Sequence, residues 1–436
     1  MRTILASIAL FSLCGLQAQE AYQPSFGREL PRGELIAYPS AEAASAADGG
    51  DNRYFTRLTQ WTFDETAARF TTNFTVPFAW ANRQMLLHVG QSSGDYEVWI
   101  NDRQAAYVAD GNSPAEFNIT KLTHEGRNQV EIRVITPSPT APLESWRENP
   151  EPTLSGIWLQ SQPTMRIRDV ETRTRRVGEN GYATAEVAVV VKSEALNPRT
   201  SRIHYQLIAP SGEDAAAGFK DLTLRMRGED TIRFLARIPA NMLWSPELPT
   251  QYILRLKTQY EGRYVEYEEL RLGFRQVEVR EGQLQLNGTP MTLRVREVPA
   301  TISENEIAEL REQGYNTFKL LPGPVSEDFL NACDGQGICV IAQAPIDTQR
   351  SGDSRRVGGN PSNDPAWKEA YLERAWNSYH TTKRHPSVIA FSLATRSANG
   401  INLYETYLKM KRIDEPRPFI YPEAGGEWNS DRLLME

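Results

Sequence analysis

The period of the hydrophobic pattern changes once along this chain, near Leu293, and that change limits the fold more than any other feature. Before it, short alternating runs are separated by turn signals, with no helical period. After it, helix-length and strand-length segments take turns. Alternation at period two marks half-buried antiparallel strands, whereas strand and helix in regular succession mark parallel βα units. The chain therefore carries a β portion followed by an α/β portion, and 436 residues leave room for two or three cores.

The β portion divides again. From Arg53 to about Pro163, stretches such as "RQMLLHVG", "YEVWIND" and "NQVEIRVI" predict an antiparallel sandwich. From about Thr164 to Phe274, "ATAEVAVVVKS", "RIHYQLIAPSG", "DTIRFLARIP" and "QYILRLKTQY" recur at the spacing of an immunoglobulin-like domain. Beyond Leu293, Ser303 and Glu306 form a capping box, Ile307 and Leu310 mark a helical face, and Gly314 ends that helix before a strand over 317–321. A second helix from Ser326 leads to a strand over 338–342. A third, starting at Asp364-Pro365 with Trp367, Tyr371, Ala375 and Tyr379 on one side, leads to a strand over 388–393. A fourth helix, carrying Leu403, Tyr404, Tyr407 and Leu408, ends before a strand over 419–421. Five strands and four helices fall short of a closed (β/α)₈ barrel, which needs eight strands and typically about 250 residues. An incomplete barrel of about five strands is expected, with domain limits at 19–163, 164–274 and 275–436.

Residues 1–18, "MRTILASIALFSLCGLQA", have the basic start, apolar run and small final residue of a secretory signal, which predicts a periplasmic or secreted protein. Nothing later is long enough to cross a bilayer. The formal charge of −7, without a long basic run, argues against nucleic acid or an anionic membrane as the main partner; a neutral ligand fits better. Beyond that leader only Cys333 and Cys339 remain, and both are expected to be buried thiols, forming neither a bridge nor a metal site.

Several stretches carry a family likeness: "RGELIAYPSAEAASAADGGDNRYFTRLTQWTF", "VWINDRQAAYVADGNSPAEFNITKL", "LSGIW", "LWSPELPTQYILRL" and "GFRQVEVREGQLQLNGTPMTLR". In this order they resemble the β-galactosidase branch of glycoside hydrolase family 2 over nearly the whole mature chain. The resemblance implies a jelly-roll sugar-binding domain, an immunoglobulin-like domain and a catalytic barrel. Within it, Trp244 and Pro246 read as an aromatic anchor and turn, and Asn287-Gly288 as a hairpin signal.

The family resemblance also implies a retaining mechanism with two carboxylates. Its general acid is the Glu of "SLGNES" at the end of the fourth barrel strand; here the stretch reads "SLATRS", with Thr395 for Asn and Arg396 for Glu. A guanidinium is no proton donor at neutral pH. The family's magnesium-binding "NIETH" is "PIDTQ" here, giving Asp347, Thr348 and Gln349, and a cation there would be repelled by Arg396, so neither metal nor other cofactor is expected. The family's nucleophile lies on a later strand, beyond Glu436. Likewise "NRHE" has become "VREV", and the acidic stretch before "LSGIW" has become "TAPLESWRENPEP".

Three readings follow. The first is a non-catalytic pseudoenzyme that binds carbohydrate or protein, with Arg396, Thr395, Asp347 and Gln349 as a vestigial cleft in which Arg396 neutralises Asp347. Trp80, Trp99 and Trp158 are its candidate sugar platforms, the last two reading more readily as core. The second is a hydrolase with relocated carboxylates drawn from Glu297, Asp347 and Glu423 at strand ends. The third is an envelope scaffold, in which self-association or a partner chain covers the open barrel edges.

Overall fold

Inward alternation builds the first two domains. The computed structural model describes residues 25–436 apart from 47–50, 149, 176, 177, 179, 180, 358, 414 and 425–428; the signal expected at 1–18 lies outside the described residues. In the first domain a four-stranded antiparallel sheet (Phe55–Arg57, Trp158–Gln162, Gln84–Val89, Ala115–Asn118) faces a five-stranded one. The second sheet runs Thr62–Asp64, Arg69–Val76, Gly126–Val134, Tyr96–Ile100, Arg103–Val108. Tyr96, Val98 and Ile100 of one sheet and Leu87 and Val89 of the other meet in one core, as expected for a jelly roll.

The second domain is the expected immunoglobulin-like sandwich, with three strands packed on four. Along Tyr182–Ser193, Ala183, Ala185, Val187, Val189 and Val191 all point into its core, a strict period of two.

The α/β portion forms one parallel sheet of five strands. Its elements are β1 (Val295–Val298), α1 (Glu304–Glu312), β2 (Thr317–Leu320), α2 (Glu327–Gln336), β3 (Cys339–Gln343), α3 (Lys368–Thr382), β4 (Val388–Ser392), α4 (Ile401–Met410) and β5 (Phe419–Ile420). Five strands and four helices are the number the periodicity predicts. The capping box at Ser303 and Glu306 is present, and Asn287 (φ +54°) and Gly288 (φ +81°) form the tight hairpin turn. Trp244 is fully buried and donates its indole N–H to the Asp334 carbonyl, anchoring the second domain to α2.

One helix starts later than expected. Residues Pro365–Trp367 form a short 3₁₀ turn, its N–H on Ala366 accepted by the Asp364 carboxylate, and the α-helix starts only at Lys368. In α4 the buried positions are Asn402, Leu403, Thr406 and Met410, with Tyr407 packed alongside, while Tyr404 and Leu408 face solvent. The buried stripe follows 403, 406, 407 and 410, a helical spacing that residues 404 and 408 fall outside.

The outward face of the sheet, with Phe318, Leu320, Val340, Ala342, Phe391 and Phe419, packs under the helices. The inward face is covered from within the chain: Leu433 and Met435 lie on Ile341, Ala390 and Ile420. The same terminal segment bonds to both outer strands. Asp431 N–H donates to the Phe419 carbonyl, and Val295 N–H donates to the Glu436 carbonyl at 2.8 Å. Edges expected to need a partner chain thus receive hydrogen bonds from this chain's own residues.

Cys333 and Cys339 are free and buried, and burial pushes the Cys339 thiol up to about 12. No helix among the described residues is long and apolar enough to cross a membrane. An arm at 25–40 stitches the domains together, and nothing in the sequence pattern announces it. Arg32 pairs with Glu116 of the jelly roll at 2.7 Å, Glu29 with Lys192 of the second sandwich at 2.6 Å, and Arg28 with Glu373 of α3 at 3.1 Å.

Candidate functional site

Parallel strands deliver their C-terminal ends to one side of the sheet, the side where barrel chemistry is built. Beyond β3 the chain continues to Asp347, and beyond β4 to Thr395 and Arg396; Asp347 and Thr395 form a parallel bridge. A jelly-roll loop joins from the other side. Asp347 N–H donates to the Leu143 carbonyl at 2.8 Å, and Ser145 N–H donates to the Asp347 carbonyl at 2.9 Å. Held between two backbones, Asp347 is 0% exposed.

A buried carboxylate requires compensation. Asp347 Oδ1 accepts the Gln349 amide at 3.0 Å, and Oδ2 lies 2.5 Å from Arg396 Nη2. Oδ2 has no aligned hydrogen-bond donor, so charge rather than directional bonding makes that contact. Arg396 is thus well inside the separation of about 6 Å at which direct pairing fails.

The backbone at Arg396 is left-handed, with φ +46°, a region costly for a side chain bearing a Cβ. Glu423 fixes it: Oε1 accepts the Arg396 amide at 2.9 Å and the Thr395 hydroxyl at 3.1 Å. Glu297 lies apart from this group, on β1. It pairs with Lys319 of β2 at 2.8 Å, and its side chain is 56% exposed. Of the cleft residues, the structure joins Asp347, Thr395, Arg396 and the Gln349 backbone, and adds Glu423 to them. All three acids named for a relocated mechanism are engaged, by a guanidinium, by an ammonium, or by two donors at a turn.

The network behind Asp347 was not foreseen. Glu144, 4% exposed, binds Arg374 of α3 at 2.8 Å and accepts from Asn112 at 2.8 Å. Arg374 also donates to the Pro345 carbonyl and the Thr140 hydroxyl, tying the jelly-roll loop to the loop after β3. In "TAPLESWRENPEP" Glu144 stands between Leu143 and Ser145, but nothing in that stretch names Arg374 as its partner.

Two of the three candidate tryptophans are buried. Trp80 and Trp158 are 2% and 3% exposed; Trp158 stacks on His88 with ring centroids 4.2 Å apart. Trp99 is half-buried beneath the Arg133 guanidinium, 4.2 Å from its ring centroid. A cavity of about 520 Å³ opens where arm, jelly roll and barrel helices meet, lined among others by Arg32, Glu34, His88, Glu116, Trp158 and Asp328. Burial and the neighbouring Glu327 push the Glu34 carboxyl up. This volume lies in the range of small-molecule sites.

Two sandwiches followed by parallel βα units, with strand ends converging on one face, define the three-domain architecture of a glycoside hydrolase. Three models of one family match in succession: glycosyl hydrolases family 2, sugar binding domain, at 59–160; glycosyl hydrolases family 2 at 165–275; and glycosyl hydrolases family 2, TIM barrel domain, at 277–435. The chain belongs to glycoside hydrolase family 2. A β-galactosidase of Pectobacterium atrosepticum is 28% identical over 390 residues, covering 83% of this chain and 36% of the relative. One from Priestia megaterium is 25% identical over 384 residues, covering 81% and 36%. This chain spans about a third of the length of these curated relatives. Among solved structures, a Bacteroides uniformis β-glucuronidase matches with a TM-score of 0.69 at 16% identity, covering 90% of this chain and 52% of that one. A family 2 member from Bacteroides cellulosilyticus matches at 0.67 and 19%, covering 81% and 49%.

Proposed function

We propose that this chain is a non-hydrolytic family 2 protein that binds carbohydrate, in the periplasm or secreted. One observation carries the reading: Arg396, which the likeness of "SLATRS" to the family motif puts at the place of the general acid, pairs with the buried Asp347. A retaining or inverting glycosidase needs two carboxyl groups free to act as acid and as nucleophile or base. Glu423 and Glu297, the other acids at strand ends, are held by a turn and by Lys319. The polar cavity between arm, jelly roll and barrel helices has the mixed donors and acceptors that suit a neutral sugar.

A glycan array followed by calorimetry on the hits tests the binding claim. Saturable binding to at least one neutral glycan, recovered intact, is the expected outcome. A chain that binds no glycan and instead pulls down a stoichiometric envelope protein would replace carbohydrate binding with scaffolding.

A further inference from the structure

A groove of about 430 Å³ opens on the outer face of the second sandwich. Along Arg199–Ile208, Ile203, Tyr205 and Leu207 point into the core, so His204 and Gln206 point away from it. The four strands pair in the order Asp214–Leu224, Arg199–Ile208, Tyr252–Tyr260, Arg263–Leu272. Their register sets Phe219 opposite His204, His204 opposite Lys257 and Lys257 opposite Tyr267, so four side chains form one outward row. The next row is Ala217, Gln206, Arg255 and Glu269. Beside the last strand the short helix Ala41–Ser45 makes a wall, tied down by Ser45 Oγ donating to Glu269 at 2.6 Å.

The row is aromatic where the sandwich gains nothing from it. Phe219 is 53% exposed and Tyr264, beside the row, 44%; the His204 ring lies between them, 5.7 Å and 5.6 Å away. Exposed aromatic groups gathered on one face mark a binding surface more than a fold requirement. Arg202, held by Asp221 at 2.7 Å, stacks 4.1 Å from the Phe219 ring centroid and fixes that ring in place. Arg255 is paired with Glu269 at 2.8 Å, so guanidinium and carboxylate cancel within the groove. Lys257 Nζ stands 4.6 Å from the Tyr264 ring centroid, and Gln206 gives its amide N–H to Asp214 at 2.9 Å and keeps a carbonyl oxygen.

We infer that this groove binds a neutral oligosaccharide laid along the row from Phe219 to Tyr267. A pyranose has apolar C–H faces and hydroxylated edges, which match rings flanked by ammonium, amide and hydroxyl groups. The paired charges give a polyanion little purchase. Four strands span about 14 Å at ~4.8 Å spacing, longer than one sugar ring. A groove of this volume suits a small ligand, not the ~800 Å² per side of a stable protein interface. The site is separate from the cavity between arm, jelly roll and barrel helices, with which it shares no lining residue.

Calorimetry and hydroxyl-radical footprinting of the full chain with β-1,4-linked hexasaccharides of glucose, galactose, mannose and xylose test this, with the matching monosaccharides as controls. At least one hexasaccharide should bind saturably, tenfold or more tighter than its monosaccharide, and protect Phe219, His204 and Tyr264. Phe219→Ala changes an exposed ring and should weaken that binding about tenfold. Should it fail to fold, Lys257→Ala removes one hydrogen-bond donor and should weaken binding severalfold. No hexasaccharide bound, or binding unchanged in the folded variants, overturns the proposal. Protection confined to residues such as Leu30 and His88 of the other cavity overturns it too, and leaves the reading given under the proposed function standing. So does a second copy or an envelope protein that Phe219→Ala releases in place of a glycan.

Discussion

Arg374→Met is expected to lower the unfolding free energy by about 3–5 kcal/mol, the usual cost of removing one partner from a buried ion pair. Arg374 and Glu144 are 1% and 5% exposed at the side chain, so solvent cannot take over when the pair is broken. The loss reaches further than one contact. The same guanidinium holds the Pro345 and Ala109 carbonyls and the Thr140 hydroxyl, spanning jelly roll and barrel. Arg374→Lys keeps the charge and loses the planar fork, so it should cost less. Urea unfolding of the two variants checks both the size and the order; equal, sub-kilocalorie losses would show that Glu144 finds other partners.

The second large effect is a pH dependence centred on His385. Burial alone would depress its pKa, but Glu327 and Asp334 outweigh burial and raise it to about 9. Asp334 Oδ2 lies 2.7 Å from Nδ1, and Glu327 Oε2 lies 3.3 Å from Nε2. Because the folded value lies above the unfolded one, near 6.5, the stabilisation is complete below about pH 6.5 and lost as pH rises through about 9. The amount is roughly 3 kcal/mol. Glu327 has the opposite sign. Burial raises its pKa, but His385 and Arg384 overcome that and hold it at about 2, so its contribution is lost as pH falls from about 4.5. The stability gap between the native chain and His385→Gln should therefore be widest near pH 6 and narrow toward pH 9. A gap that does not change across that range would remove the charge-pair explanation.

What the sequence made legible follows from what periodicity can encode. The strict alternation of Ala183, Ala185, Val187, Val189 and Val191 needs no partner's identity to be read as a strand with one buried face. The nearly continuous apolar run ending in β4 announced a strand covered on both faces in the same way. The pairing of Arg396 with Asp347 was also reachable, because two strand ends in one parallel sheet must lie on one side of it. The Glu144–Arg374 network was not, since it joins residues 230 positions apart through a loop with no period. The arm at 25–40 escaped for a related reason: its place comes from ion pairs with three domains and from Leu35 packed into the second core, not from a long pattern of its own.

The central proposal is that Arg396, which the motif likeness puts at the place of the family's general acid, is a cation paired with a buried aspartate, so that no acid stands there to protonate the leaving oxygen. Chromogenic galactoside and glucuronide substrates, followed with the purified chain and with Glu423→Gln side by side, address it most directly. The expected result is release no faster than in buffer for both proteins. Turnover by the native chain that disappears in Glu423→Gln would contradict it and would assign Glu423 a catalytic role.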